Sequence, residues 1–152
     1  MTSDDLEGVY DVQLAGFSPE MIEPIEMFRE ILTHYWQASF VAELDGKIVA
    51  YTMAHPADDD RTDYDSGSWE IRGDEECLYL HDLCLHPDAQ GQGIAQSLLK
   101  LVEDFAITDG FKKIIGISVQ NTREFWKKQG FMILRPYSYS GEEGYFMEKA
   151  LK

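Results

Sequence analysis

Between Tyr79 and Ala95 the chain concentrates residue types that can move a proton and hold an anion. His81 lies in the apolar run Cys77–Leu85, and its ordinary pKa of about 6.5 makes it a proton acceptor near neutral pH. Strand alternation puts Tyr79 on the same face, where it can relay a proton through water, and Asp82 on the other. After the Pro87 break comes Gln90-Gly91-Gln92-Gly93-Ile94-Ala95, and from Gln92 the apolar spacing is helical. The first N–H groups of a helix lack intrahelical partners, and the macrodipole favours negative charge there. With no Cβ on the glycines to block approach, this bend is expected to seat a diphosphate on main-chain N–H groups.

Two other glycine-rich sites fail on chemistry. A P-loop closes on Gly-Lys-Ser/Thr, whereas Gly93 is followed by Ile94 and Ala95. A dinucleotide fingerprint needs a third glycine and an acidic residue ending the next strand, and neither is present. A plain strand-to-helix turn would explain a lone Gly-x-Gly. The strand before it, Pro87 and the helix after it favour the anion seat.

The spacing Gln90-x-x-Gly93-x-Ala95 resembles the acetyl-CoA signature of the GNAT superfamily of N-acetyltransferases. The resemblance implies that Gln90, Gly91, Gln92, Gly93, Ile94 and Ala95 take the pyrophosphate of acetyl-CoA. It also implies that backbone amides of Leu83, Cys84 and Leu85 bind the pantetheine arm, one of them polarising the thioester carbonyl. The run Leu78 to His86 looks like the corresponding strand of the arylalkylamine-type branch, where two histidines spaced by one residue relay protons. The second falls on His81 and the first on Tyr79, a departure. The family often carries Phe-Tyr before a Gly-Phe, the tyrosine serving as general acid toward the thiolate. Here the stretch is Phe125-Trp126-Lys127-Lys128-Gln129-Gly130-Phe131, and an indole N–H is far too weak an acid to replace a phenol. Tyr137 or Tyr139 then supplies the proton, or the thiolate leaves without one. Asn121 sits two positions off the family's usual asparagine. By this resemblance Asn121, Phe125 and Trp126 complete the cofactor-facing set, and no metal is expected.

Composition narrows the partners. The net charge of −15, from 13 basic and 28 acidic residues, argues against nucleic acid and suits a cationic substrate such as an amine, although solubility alone would also account for it. Coenzyme A is itself anionic, so the seat must attract it locally, through helix N–H groups and nearby Lys112 or Lys127. Cys77 and Cys84, seven strand steps apart, are separated by roughly 23 Å and cannot form a disulfide with each other. His86 leads into the Pro87 turn, and His34 and His55 have no supporting context. No apolar run reaches membrane-spanning length, and Met1-Thr2-Ser3-Asp4-Asp5 is unlike a signal peptide, so the expected location is the cytoplasm.

These residues need a frame. Ser3 is expected to cap a helix with Leu6, Val9, Tyr10 and Leu14 on one face and Gly16 at its end; Pro24 opens a second with Ile25, Phe28, Ile31 and Leu32. Ser39 to Tyr51 reads as a hairpin about Asp45-Gly46. The acidic stretch 56–76 is a lid or a solvated insertion. A helix with Ile94, Leu98, Leu101, Val102 and Phe105 inward leads to a strand at Lys113–Val119, parallel to its predecessor. A short helix with Phe125 and Trp126 follows, then strands at Phe131–Leu134 and Tyr145–Met147. The expected fold is α/β (α+β): one domain, residues 1–152, with a mixed, mostly antiparallel GNAT-like sheet and about four helices. The family's first strand is missing, so either the sheet is one strand short or Met1 is an internal start.

The expected function is acetyl-CoA-dependent N-acetyl transfer to a primary amine, a small molecule favoured, by direct attack on the thioester. Tyr35, Trp36 and Trp69 either stack on an aryl or cationic amine or serve as core and lid packing. The alternative is a non-catalytic acyl-CoA-binding sensor or interaction module of the same fold. A homodimer is left open, and neither nucleic acid nor membrane is an expected partner.

Overall fold

The computed structural model describes residues 1–58, 75–139 and 141–152, without the Tyr139 side chain. Its first hairpin joins β1 (Phe40–Leu44) to β2 (Lys47–Ala57) through Asp45 and Gly46 at φ 50° and 76°. Two successive positive φ values make the tight turn whose twist matches the strands. β2 runs well past Tyr51, because residues Ala50 to Ala57 are buried throughout and offer no alternation to read. The expected lid at 56–76 therefore loses Pro56 and Ala57 to β2, and most of the rest, Trp69 included, lies outside the described residues.

β3 (Cys77–Leu85) follows, then the crossover helix α3 (Ile94–Thr108) and β4 (Lys113–Ser118). β5 (Met132–Tyr139) and β6 (Glu142–Ala150) close the chain. The six strands lie in the order β1-β2-β3-β4-β6-β5, and β3 with β4 is the parallel pair in an otherwise antiparallel sheet. β5 and β6 are longer than expected. Their ladder extends to Tyr139 opposite Glu142 through Ser138 and Glu143, polar residues that read as a turn.

Helices cover both faces. α1 (Leu6–Gly16) and α2 (Ile25–His34) bury Leu6, Val9, Val12, Phe28 and Ile31 against Tyr51, Met53 and Cys84. α3 and α4 (Arg123–Lys128) pack Leu99, Val102, Ala106 and Trp126 against Leu78, Leu80, Ile114 and Met147. Two local expectations are corrected. The α3 stripe uses Leu99 and leaves Leu101 46% exposed, because helical spacing from Leu98 and Leu99 runs on to Val102 and Ala106. Ser3 starts a short 3-10 turn rather than capping α1, and the Thr2 N–H donates to the Asp5 carboxylate at 2.7 Å. Among the described residues no helix is long and apolar enough to cross a membrane.

The feature that shapes the site is a bulge in β3. Met53 pairs with Asp82 and Ala54 with Leu80, so His81 is an extra residue in the ladder. A bulge puts neighbouring side chains on one face. Leu80 and Leu83 both pack on the α3 side, which turns His81 and Asp82 together toward α1 and α2. The expected separation of these two onto opposite faces is thereby corrected. The β3–β4 ladder ends at Leu80 opposite Gly116 although both strands continue, so their ends part into a cleft.

The last residue of α1 is tight against this strand. A Cβ on Gly16 would stand 2.4 Å from Cys84 Sγ and 2.9 Å from the Leu85 carbonyl oxygen. Gly16→Ala is expected to destabilise the protein by about 1–3 kcal/mol through overpacking. Thermal unfolding checks it; an unchanged Tm would show that the helix end relaxes freely.

Candidate active site

The cleft between the ends of β3 and β4 has a volume of about 340 Å³. Of the sequence-predicted residues, Tyr79, His81, Leu83, Cys84 and Leu85 line it from β3, Gln90 and Ala95 from the glycine turn, and Phe125 and Trp126 from α4. Gly91, Gln92, Gly93 and Ile94 form the turn's outer rim, with Gly91, Gln92 and Gly93 exposed. Gly91 and Gly93 adopt φ 74° and 79°, and Gly93 caps α3 in the left-handed conformation. A Cβ at either would meet nothing within 4 Å, so the space in front of the turn is open. The Ser97 N–H makes the first bond of α3, to the Gly93 carbonyl at 3.1 Å; the N–H groups ahead of it in the first turn have no intrahelical acceptor. As expected, His86 serves the turn: its Nδ1 accepts from the Asp88 N–H at 3.2 Å.

Several expected neighbours stand elsewhere. Asn121 is exposed at φ 59° and outside the lining, while Gln120 and Thr122 on either side of it face the cleft. Tyr35 packs on Phe105 and donates to Asp109 at 3.2 Å, and Trp36 is 61% exposed, so neither reaches the cleft. Lys112 and Lys127 are both exposed and outside the lining, and Lys127 pairs with Glu124 at 2.7 Å. Tyr137 packs against the cluster of Ala57, Tyr79, Ile115 and Phe146 and is not itself among the lining residues. Trp126 is a core residue whose indole N–H donates to Thr122 Oγ1 at 3.1 Å. Cys77 and Cys84 are both buried and form no disulfide with each other, in keeping with their spacing. Burial, helped by the Asp82 charge, pushes the Cys84 thiol well above its ordinary pKa, so it stays protonated and is no nucleophile.

The chemical centre is a group that strand periodicity did not show. His81 Nε2 lies 2.7 Å from Glu23 Oε2, with the His81 side chain 3% and the Glu23 side chain 17% exposed. Polar atoms of Glu23, His81 and Asp82 all lie within 4.8 Å of one another. Tyr51 donates its hydroxyl to the Asp82 carboxylate at 2.8 Å, and Thr52 Oγ1 donates to the Asp82 carbonyl at 2.8 Å. His55, dismissed on sequence, stacks into the same group, 5.3 Å from the Tyr79 ring and 5.8 Å from that of His81. Tyr79 lies edge-on to His81 at 6.0 Å. Glu23 comes from the loop between α1 and α2, and Gln13 holds it there. The fully buried Gln13 amide donates to the Glu23 carbonyl at 3.0 Å and accepts its N–H at 2.8 Å.

Burial raises the Asp82 carboxyl to about 7, with Glu23 adding to the rise and His81 and the Tyr51 hydrogen bond opposing it. The folded protein thus holds a proton on Asp82 between about pH 4 and 7, where an unfolded carboxyl of ordinary pKa 3.8 has lost it. Stability falls as pH rises through that window, by up to about 1.4 kcal/mol per pH unit, and levels off above it. Asp82→Asn removes the titration. Its Tm relative to the parent is expected to climb steadily from pH 4 to 7; a constant difference would contradict the buried-carboxyl account.

The profile of the acetyltransferase (GNAT) family matches residues 6–131. No curated protein matches the chain in sequence. Among solved structures the chain is similar to the GphF GNAT-like decarboxylase in complex with isobutyryl-CoA (TM-score 0.84, 15% identity, covering 100% of this chain and 97% of that one). It is also similar to the loading GNATL domain of CurA from Lyngbya majuscula (0.83, 15%, 97% and 93%). A third is the ribosomal-protein-S18-alanine N-acetyltransferase from Escherichia coli (0.73, 15%, 100% and 91%). At such identities the likeness is one of fold, and it extends over nearly the whole chain. The matched residues run from the start of α1 to the foot of β5 and take in the bulged strand, the glycine turn and α4; this chain belongs to the GNAT family of acetyltransferases.

Proposed function

We propose that the protein is an N-acetyltransferase that moves an acetyl group from acetyl-CoA to a primary amine, a small molecule favoured. The observation that carries this reading is the Glu23–His81 pair at the wall of a cleft that also reaches the open N-terminus of α3. The residues present fit the donor. The glycine turn leaves room in front of its N–H groups for a diphosphate, and beyond Leu80 the edge of β3 leaves the β4 ladder, giving Leu83 to Leu85 as a track for an extended amide-bearing arm. Phe125 and Trp126 wall the same passage with apolar surface. When bound there, acetyl-CoA supplies a thioester whose carbonyl the amine nitrogen attacks and whose thiolate departs.

The chain's own residues handle the proton. An alkyl ammonium has a pKa near that of lysine, about 10.4, so it must be deprotonated on the protein before it can attack. His81 with Glu23 takes that proton, and the carboxylate at 2.7 Å stabilises the imidazolium that results. Tyr79 and His55 pack around His81 and hold the ring in place. A water between Tyr79 and His81 would give the proton an exit. No residue is assigned to protonate the thiolate, which is a tolerable leaving group near neutral pH.

The sensor reading has one observation in its favour: the Trp126 N–H is already committed to Thr122, so no acid stands where the family often has one. Incubation with acetyl-CoA and a panel of alkyl, aryl and peptidyl primary amines separates the two. Free thiol released together with an acetylated acceptor identifies the enzyme. Tight acetyl-CoA binding with no turnover on any amine would identify the sensor.

A further inference from the structure

Resting on the acetyltransferase reading, we infer that Gln13 is a positioning residue for the reaction, acting through the backbone of Glu23 to set its carboxylate against the His81 ring. Gln13 is fully buried on the side of α1 that also buries Leu6, Val9 and Val12. A primary amide taken out of water is costly unless its hydrogen bonds are made. Here both of its polar atoms are committed to one residue. Nε2 donates to the Glu23 carbonyl at 3.0 Å, and Oε1 accepts the Glu23 N–H at 2.8 Å. Holding the peptide groups on both sides of one Cα fixes the direction of its Cα–Cβ bond. Pro24 narrows the Glu23 backbone further, since a residue before proline is confined to extended conformations. The carboxylate is thus aimed from a fixed root, and its Oε2 stands 2.7 Å from His81 Nε2.

The aim carries to His81 because α1 is seated on the strand that bears it. Cys84 Sγ donates to the Val12 carbonyl at 3.6 Å, and Gly16 lies too close to Cys84 and Leu85 to accept a Cβ. Gln13 falls between these two contacts. The contacts close a ring, from β3 at Cys84 to α1, through Gln13 to Glu23, and back to β3 at His81. Within such a ring the approach of Glu23 to His81 follows from the backbone as well as from the reach of a side chain. Among the described residues, the titratable groups around His81 are Glu23, Asp82 and Tyr79 of β3, and His55 of β2, with Tyr51 of β2 bonded to Asp82. Loosening Gln13 is expected to imitate the loss of Glu23 and to leave the others in place.

The test substitutes Gln13→Met in the full-length protein, which keeps the volume and removes both hydrogen bonds. With acetyl-CoA and a primary amine that the parent turns over, kcat is expected to fall about 10- to 100-fold, the scale that misplacing a reacting group can cost. A double-mutant cycle with Glu23→Gln separates positioning from folding. If Gln13 acts through the Glu23 carboxylate, adding Gln13→Met to Glu23→Gln lowers kcat by no more than about twofold, whereas a merely structural role would multiply the two losses. The second readout is the His81 ring proton, followed by NMR against pH without substrates. Losing a well-placed carboxylate moves an imidazole titration to lower pH, so Gln13→Met and Glu23→Gln are expected to shift it in the same direction. An unchanged kcat, losses that multiply, or an unmoved His81 titration in Gln13→Met would overturn the inference. If the parent turns over no acceptor, the acetyltransferase reading itself fails, and the His81 titration decides this inference alone. Should Gln13→Met not fold, Gln13→Asn, which withdraws the amide by one methylene, carries the same measurements.

Discussion

His81→Ala is expected to lower kcat by about 100- to 10,000-fold, the range that removal of a positioned proton acceptor usually costs. Acetyl-CoA affinity is expected to stay within about twofold, because on the proposed reading main chain at the glycine turn and along β3 would hold the cofactor, while His81 faces the α1–α2 loop. The split between the two measurements separates chemistry from folding, since a collapsed cleft would lose both. In the parent the rate is expected to rise as the proton acceptor loses its proton, and that limb of the pH–rate profile is expected to vanish in the variant. A profile of unchanged shape would remove His81 from the mechanism. Glu23→Gln is the companion measurement, since the Glu23 carboxylate contacts His81 Nε2 at 2.7 Å.

Gly93→Glu is expected to raise the acetyl-CoA Kd at least about 100-fold, equivalent to roughly 2.7 kcal/mol. Two effects combine. The φ of 79° is left-handed, where a side chain costs about 1–2 kcal/mol. The introduced carboxylate would also occupy the positive end of α3 and repel the incoming phosphates. Gly93→Ala separates these effects: its Cβ meets nothing within 4 Å, so it carries only the backbone strain and is expected to weaken binding far less. Calorimetric titration with acetyl-CoA reads both. An unaltered Kd in Gly93→Glu would show that the diphosphate binds elsewhere.

The elements that sequence reasoning placed well are those with strong local signals. β3 spans Cys77–Leu85 as its apolar run implied, Asp45-Gly46 makes the first turn, and the α3 crossover delivers β4 parallel to β3. Elements misjudged in length are those whose neighbours rewrite their surroundings: β2, buried between β1 and β3, and the β5–β6 hairpin, whose polar residues sit in paired strand. Aromatic residues misled for a related reason. Tyr35 and Trp36 could stack on a ligand by type, yet one is spent on the α3 core and the other faces solvent.

The glycine turn was legible because its essentials are local. Positive φ at Gly91 and Gly93, and unpaired N–H groups at the start of α3, follow from a few consecutive residues and need no distant partner. The chemical group was not legible, because its parts meet only in three dimensions. Glu23 reaches His81 across 58 positions, and only after Gln13 has fastened the α1–α2 loop to α1. Asp82 joins them because the pairing of β3 with β2 slips at Met53 and Ala54, a register set by packing on both faces and invisible to a period of two. Short-range backbone geometry thus declared where an anion could sit, while long-range packing chose the carboxylates that surround the histidine.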